Sequence, residues 1–353
     1  MDLFSSSNNL HLLDQNNILS QIDGLPGQLA VAWENASRQP LPPIGAVRDV
    51  TIAGMGSSGE VADMVCAYVA GSSRLAVHSW QDYDLPAWVT GPDHLVIAIS
   101  HTGNTEETLS TLQLAQQRGC TSMAITTGGA LLREAKQSGI TAWTYDAVEL
   151  PSFSPGYGFA YLTSLLHRLD MIPDPAQAFQ TAVADLRALH PSLQVETPVE
   201  SNPAKRLAGQ LIGRLVFIFG SGYLAPVSRR WQSQFSRVAK TWAQSEYLPA
   251  MNHNMVSGLQ YPADLLTHTF SIFLRAPSDH ARNRLRSDLT RQYFMVEGMN
   301  TDTFDAPGGS ALSHIWTSLH FGDYVAYYLA MMCGIDPDAS PVVEGLKGKM
   351  KND

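Results

Sequence analysis

Three hydroxyl side chains, Ser100, Thr102 and Thr105, fall within the string Ser100-His101-Thr102-Gly103-Asn104-Thr105-Glu106-Glu107-Thr108. An apolar run precedes the string and a helical pattern follows it, so it reads as the turn from a strand into a helix. The first N–H groups of such a helix have no partner within it. With the hydroxyls they form a neutral cradle for a small dianion, and a phosphomonoester suits that cradle better than a pyrophosphate. A second turn, Gly54-Met55-Gly56-Ser57-Ser58-Gly59, follows another apolar run and adds Gly56, Ser57 and Ser58 as candidate phosphate contacts. Its G-x-G-x-x-G spacing fits a dinucleotide fingerprint, with Asp82 near the place of the ribose acid. One such match is weak, and the hydroxyl-rich loop has no part in a dinucleotide fold, so neither NAD nor any other cofactor is expected. The plainer reading of Ser100, Thr102 and Thr105 is that they cap a helix whose dipole Glu106 and Glu107 answer.

The elements that must position these loops show in the hydrophobic pattern. Asp49 to Met55, His94 to Ser100 and Thr121 to Thr127 are β-branched apolar runs, each followed by a helical pattern. Alternation of this kind predicts a parallel sheet covered on both faces. The stretch Trp143 to Pro155, with Pro151, Ser152 and Ser154, ends the pattern. Helical periodicity returns at Gly158 to Ile172, and a Pro-containing connection reaches about Pro203. The pattern then restarts with Arg214 to Phe219, the turn Gly220-Ser221-Gly222 and a long helix expected from about Ala225 to Gln244. Further strands are expected at His268 to Leu274 and Gln292 to Val296, before a last helix, Trp316 to Cys333, closed by Gly334. This predicts a duplicated α/β sandwich with domains at 1–155 and 204–353, a helical connection at 156–203 and a C-terminal helical tail.

Composition excludes several functions. A chain of 353 residues with 44% hydrophobic side chains can build two substantial cores. Its 23 basic and 32 acidic residues would repel a polyphosphate, so no nucleic-acid partner is expected and any phosphate must be gripped locally. Cys66, Cys120 and Cys333 read as reduced core residues at unrelated spacings, and no metal is expected. The first residues carry neither a basic region nor a spanning apolar run. No membrane partner is expected, and the cytoplasm is the default.

The nine-residue loop resembles the S-x-S-G-N-T-E-E-T signature of sugar-isomerase (SIS) domains, and most closely the bifunctional phosphoglucose/phosphomannose isomerase family. Leu13-Asp14 with Ile22 to Leu29, the Gly54 loop, and Leu248-Pro249-Ala250-Met251-Asn252-His253-Asn254 against the family's L-P-E-x-N-H-N extend the resemblance. Gly309-Ser310, Gly322-Asp323, Tyr328-Leu329-Ala330, Asp336-Pro337 and Leu346-Lys347 carry it to the end. It implies two SIS domains, each a parallel sheet flanked by helices in a flavodoxin-like α/β/α sandwich. It also implies a homodimer that binds a phosphorylated monosaccharide. His253 matches the histidine assigned to ring opening, and Lys347 a lysine of the same site.

Departures from that pattern bear on the chemistry. The family's C1–C2 base is the glutamate of an N-E-N-A-K string, where this chain reads Ser236-Arg237-Val238-Ala239-Lys240. A guanidinium stays charged at any working pH and cannot accept a proton. The family's P-R-x-A arginine, which stabilises the enediolate, is replaced in Pro155-Gly156-Tyr157-Gly158, and the L-P-E glutamate by Ala250. Were the helix continuous, about 100° per residue would place Glu246 on the face opposite Arg237, so the carboxylate could move there only through a break near Ser245. The two expected functions are therefore a hexose 6-phosphate isomerase of altered or weak activity and a non-catalytic sugar-phosphate binder.

Overall fold

A computed structural model describes residues 12–147, 149–338 and 340–350. The chain divides into two compact units, one formed by Gly24–Arg187 with Gly308–Trp316, the other by the rest of the described chain. Each unit contains one all-parallel sheet.

The first sheet comprises β1 (Asp49–Ala53), β2 (Ala76–Trp80), β3 (His94–Ser100), β4 (Thr121–Thr126) and β5 (Thr141–Thr144), in the order β2-β1-β3-β4-β5. Every residue of central β3 is buried, which is why it reads as an unbroken apolar run rather than an alternating one. The second sheet comprises β6 (Leu215–Ser221), β7 (Ala243–Leu248), β8 (Thr269–Arg275) and β9 (Asn300–Asp305), in the order β7-β6-β8-β9. Both orders reverse beside the first strand. Ligands of open α/β sheets bind at such a switch point, outside the carboxyl ends of the strands.

Several expectations need correction. The helix from Ala225 stops at Arg237, not near Gln244. Lys240 adopts a left-handed φ of 51°, Thr241 N bonds Phe235 O at 3.0 Å, and the chain turns into β7, the strand that carries Glu246. Glu246 and Arg237 therefore do not share a helix, and helical facing does not separate them. Gln292 to Val296 is not a strand but the end of the helix Ala281–Val296. Its Ser287, Thr290 and Phe294 are buried at helical spacing, whatever the local β propensity. The strand beyond it is β9, whose Asn, Thr and Asp residues hide it from a hydrophobicity reading. The last long helix begins at Ala311 and ends at Met332, and a further helix, Pro341–Met350, follows it. The cysteines are free, but Cys333 is exposed rather than in a core. Burial pushes the Cys66 thiol up to about 12. No helix among the described residues is long and apolar enough to cross a membrane.

Candidate functional site

The loops after β1 and β3 meet at the first sheet's switch point. Ala53 and Ala98 are register partners in neighbouring strands, and a Cβ on Gly54 would lie 2.8 Å from Ile99 O, so the two turns leave the sheet side by side. Gly56 precedes the helix Ser57–Val69, which leaves Ser57 and Ser58, both half-buried, in its first turn.

In the β3 loop Ser100 is buried, with its Oγ 3.0 Å from Thr105 Oγ1 and accepting Gly103 N at 3.1 Å. Thr105 occupies the N-cap position of the helix Glu106–Gln117, yet its hydroxyl makes no capping bond. The plain capping reading therefore fails for the residue it suits best. First-turn N–H groups of that helix, lacking an intrahelical partner, stay beside the hydroxyls. Exposed Thr102 holds Asn104, whose N reaches Thr102 Oγ1 at 3.3 Å.

The loop after β4 locks this arrangement. Gly103 has φ +67°, and a Cβ there would lie 1.9 Å from Gly128 O, so the position needs glycine for both conformation and space. Leu131 N bonds Gly103 O at 2.8 Å, Ala130 N bonds Asn104 Oδ1 at 3.1 Å, and Thr127 Oγ1 bonds His101 O at 2.7 Å. Sequence reading missed these supports from 127–131, and the adjacent Thr127-Gly128-Gly129 turn was their available signal.

Beside the cradle a narrow cleft is lined by Ser57, Ser58, Ile99, His101, Tyr145 and Ser154, among others. Burial lowers the pKa of His101, while the nearby Glu149 charge works in the opposite direction. Burial raises the pKa of Tyr145, and its ring stacks on Tyr157 with centroids 4.8 Å apart and planes 7° from parallel. These aromatic walls come from positions that the sequence reading left without a role.

The second unit contains the other three candidates. Arg237 is half-buried at the end of its helix, where Lys240 Nζ caps its carbonyl. His253 is exposed on the short helix Met251–Asn254 that follows β7. Neighbouring Asn252 ties that turn to the helix Ala281–Val296, donating to Thr290 Oγ1 at 2.7 Å and accepting from Arg286 Nη1 at 3.3 Å. Lys347 falls on the helix Pro341–Met350, and its side chain lies outside what is described. The topology does not bring Arg237 and His253 together within one protomer. A crossover helix between parallel strands runs against them, so Arg237 ends at the amino edge of the second sheet and His253 follows its carboxyl edge. At about 3.3 Å per residue, the length of β7 separates those edges by ~17 Å.

Residues 46–139 match the SIS domain model, and residues 200–350 match the bacterial phospho-glucose isomerase C-terminal SIS domain model. A bifunctional phosphoglucose/phosphomannose isomerase from Caldicellulosiruptor bescii is 34% identical over 304 residues, covering 85% of this chain and 89% of its own. The chain belongs to the bifunctional phosphoglucose/phosphomannose isomerase family. A second relative with that name, from Aquifex aeolicus, is 28% identical over 321 residues, covering 90% of this chain and 94% of its own. In fold the chain is similar to a glucose-6-phosphate isomerase like protein from Thermus thermophilus, with a TM-score of 0.64 at 18% identity, covering 96% of this chain and 98% of that one.

Gly156, at the expected arginine position, is buried near the start of the helix Pro155–Arg168. Its N–H donates to Gln28 Oε1 at 2.9 Å, and Gln28 Nε2 donates to Phe153 O at 2.8 Å. A Cβ at this position would lie 2.7 Å from Gln28 Oε1, so Gln28 fills the space that a side chain would need.

Proposed function

We propose that this chain is an aldose–ketose isomerase of hexose 6-phosphates, working in the cytoplasm as a homodimer. The observation that carries this reading is the hydroxyl cradle at the switch point, in a chain of the phosphoglucose/phosphomannose isomerase family. Gly56, Ser57, Ser58, Ser100, Thr102 and Thr105 would hold the phosphate through hydroxyls and helix N–H groups, and a dianion is worth more to such donors than a neutral sugar is. His253 would move the ring-opening proton between O5 and O1, with Lys347 beside the ring. Arg237, unable to take a proton, would act as a fixed positive charge facing the oxyanion that develops on the substrate. Neither step requires a redox group or a metal.

The second sheet supports the homodimer reading. If Arg237 and His253 both serve one sugar, a single protomer cannot supply both from opposite edges of its sheet, and a second copy has to provide one of them.

Conversion of glucose 6-phosphate to fructose 6-phosphate, assayed beside a calorimetric titration of the same preparation, tests the proposal. The expected result is tight binding of the phosphate ester, poor binding of glucose and measurable conversion. Equal affinity for glucose and its 6-phosphate would remove the cradle assignment, and binding without conversion would favour a non-catalytic sugar-phosphate binder.

A further inference from the structure

With Arg237 at the position of the family base, the proton between C1 and C2 needs another carrier. We propose that His101 carries it, and that Glu149 is the carboxylate that stabilises the imidazolium formed on the way. This assignment rests on the isomerase reading above and names the base within it.

His101 follows Ser100 of the cradle and lines the same cleft as Ser57 and Ser58. Its carbonyl accepts both the N–H and the hydroxyl of Thr127, at 3.1 and 2.7 Å, so the ring stands on fixed backbone. Its Nδ1 lies 3.4 Å from Tyr145 Oη. A phenol can accept as well as donate, and burial keeps Tyr145 protonated, so Nδ1–H directed at Tyr145 leaves the Nε2 lone pair available.

Glu149 lies in the loop after β5, close enough for its charge to act on both His101 and Tyr157. Its Oε2 is buried and accepts no hydrogen bond from any described residue. A buried carboxylate oxygen without a donor is costly unless a positive charge arises nearby. His101 becomes that charge when it takes a proton. Burial keeps the resting imidazole neutral and therefore competent as a base, and the carboxylate lowers the cost of protonating it.

His101 Nε2 removes the proton from C2 of the open-chain aldose, the C2–H electron pair forms the C1=C2 double bond, and the C1 carbonyl pair moves onto O1. The imidazolium returns the proton to C1, the hydrogen of O2 passes to O1, and C2 becomes the ketone.

The test is exchange of the C2 hydrogen of glucose 6-phosphate in deuterated water, followed by NMR, alongside kcat, KM and calorimetric affinity, for wild type, His101→Gln and Glu149→Gln. Expected for His101→Gln is a fall of about 10²–10⁴-fold in both kcat and exchange, with KM and phosphate-ester affinity within about threefold of wild type, the latter also reporting a folded site. Glu149→Gln should lose less, roughly tenfold, and should displace the acidic limb of the kcat profile, since Glu149 and Tyr145 are the titratable groups facing His101. Exchange that survives in His101→Gln overturns the assignment of the base and leaves the isomerase reading standing. An unmoved profile in Glu149→Gln overturns the role of the carboxylate. Wild-type protein that neither converts nor exchanges a bound hexose 6-phosphate overturns the isomerase reading itself, and this assignment with it.

Discussion

Gln28 Oε1 accepts the backbone N–H of Gly156 at 2.9 Å, so a side chain from the helix Leu25–Ser37 fills the place of the arginine that the family pattern expects. Gly156→Arg should therefore not restore the family charge without cost. It displaces Gln28 from two buried bonds and should lower stability by about 1–3 kcal/mol, as overpacking does. The pair Gln28→Ala with Gly156→Arg should lose less than the sum of the two single changes. Urea midpoints for the four proteins decide the matter, and strict additivity would show that Gln28 does not block the position.

Thr105 Oγ1 has Ser100 Oγ as its neighbour and makes no cap. Thr105→Val should weaken hexose 6-phosphate binding by roughly 1–3 kcal/mol with only a modest fall in Tm, because a charge-assisted bond to the ligand is lost, the Ser100 Oγ contact goes with it, and no helix cap is removed. A drop in Tm with unchanged affinity, seen by calorimetry and thermal scanning together, would show that the residue serves the fold alone.

The buried indole of Trp231 lies against Gly322, where a Cβ would sit 2.2 Å from Nε1, and the same Nε1 donates to Ser318 O at 2.9 Å. A rigid ring cannot swing aside as Gln28 can. Gly322→Ala should cost at least ~2 kcal/mol through overpacking and loss of the indole bond. Denaturant unfolding with tryptophan fluorescence measures it, and a loss under ~0.5 kcal/mol, the range of an ordinary surface change, would contradict the packing.

His320 is fully buried, and neither ring nitrogen has a hydrogen-bond partner among the described residues. Burial, reinforced by His190 stacked beside it, lowers its pKa to about 3. The unfolded chain titrates this group near 6.5, so below that pH the unfolded state binds the proton and the folded state does not. Stability should fall as the pH drops from about 6.5 towards 3, with up to ~1.4 kcal/mol per pH unit from this group. His320→Leu should flatten that part of the profile in urea titrations between pH 7.5 and 4.5. A variant with wild-type slope would assign the acid sensitivity to other groups.

Much of this protein was legible from the order of its residues. Strands buried on both faces, such as β3, must be continuously apolar, and the loops that leave them keep their Gly, Ser and Thr residues in consecutive positions. The hydroxyl-rich string from Ser100 to Thr105, the repeated α/β pattern and the arginine at position 237 are all local patterns, and the sequence determined them by itself. Edge strands were harder. The outer β2, β5 and β9 are short or polar because only part of each is covered, so periodicity did not mark them.

Only the tertiary structure decided which residues share an edge of a sheet. The backbone turn at Lys240 ended a helix that its own side chains would have continued, and it placed Glu246 on a strand. His101 and Glu149 are far apart in the chain and unremarkable in composition, and they became neighbours because β3 and β5 end on the same side of one parallel sheet. A sequence specifies locally which side chains must be buried, through their spacing. Which chemistry they meet depends on strand order and on the ends of helices, and those are set by packing between segments far apart in the chain.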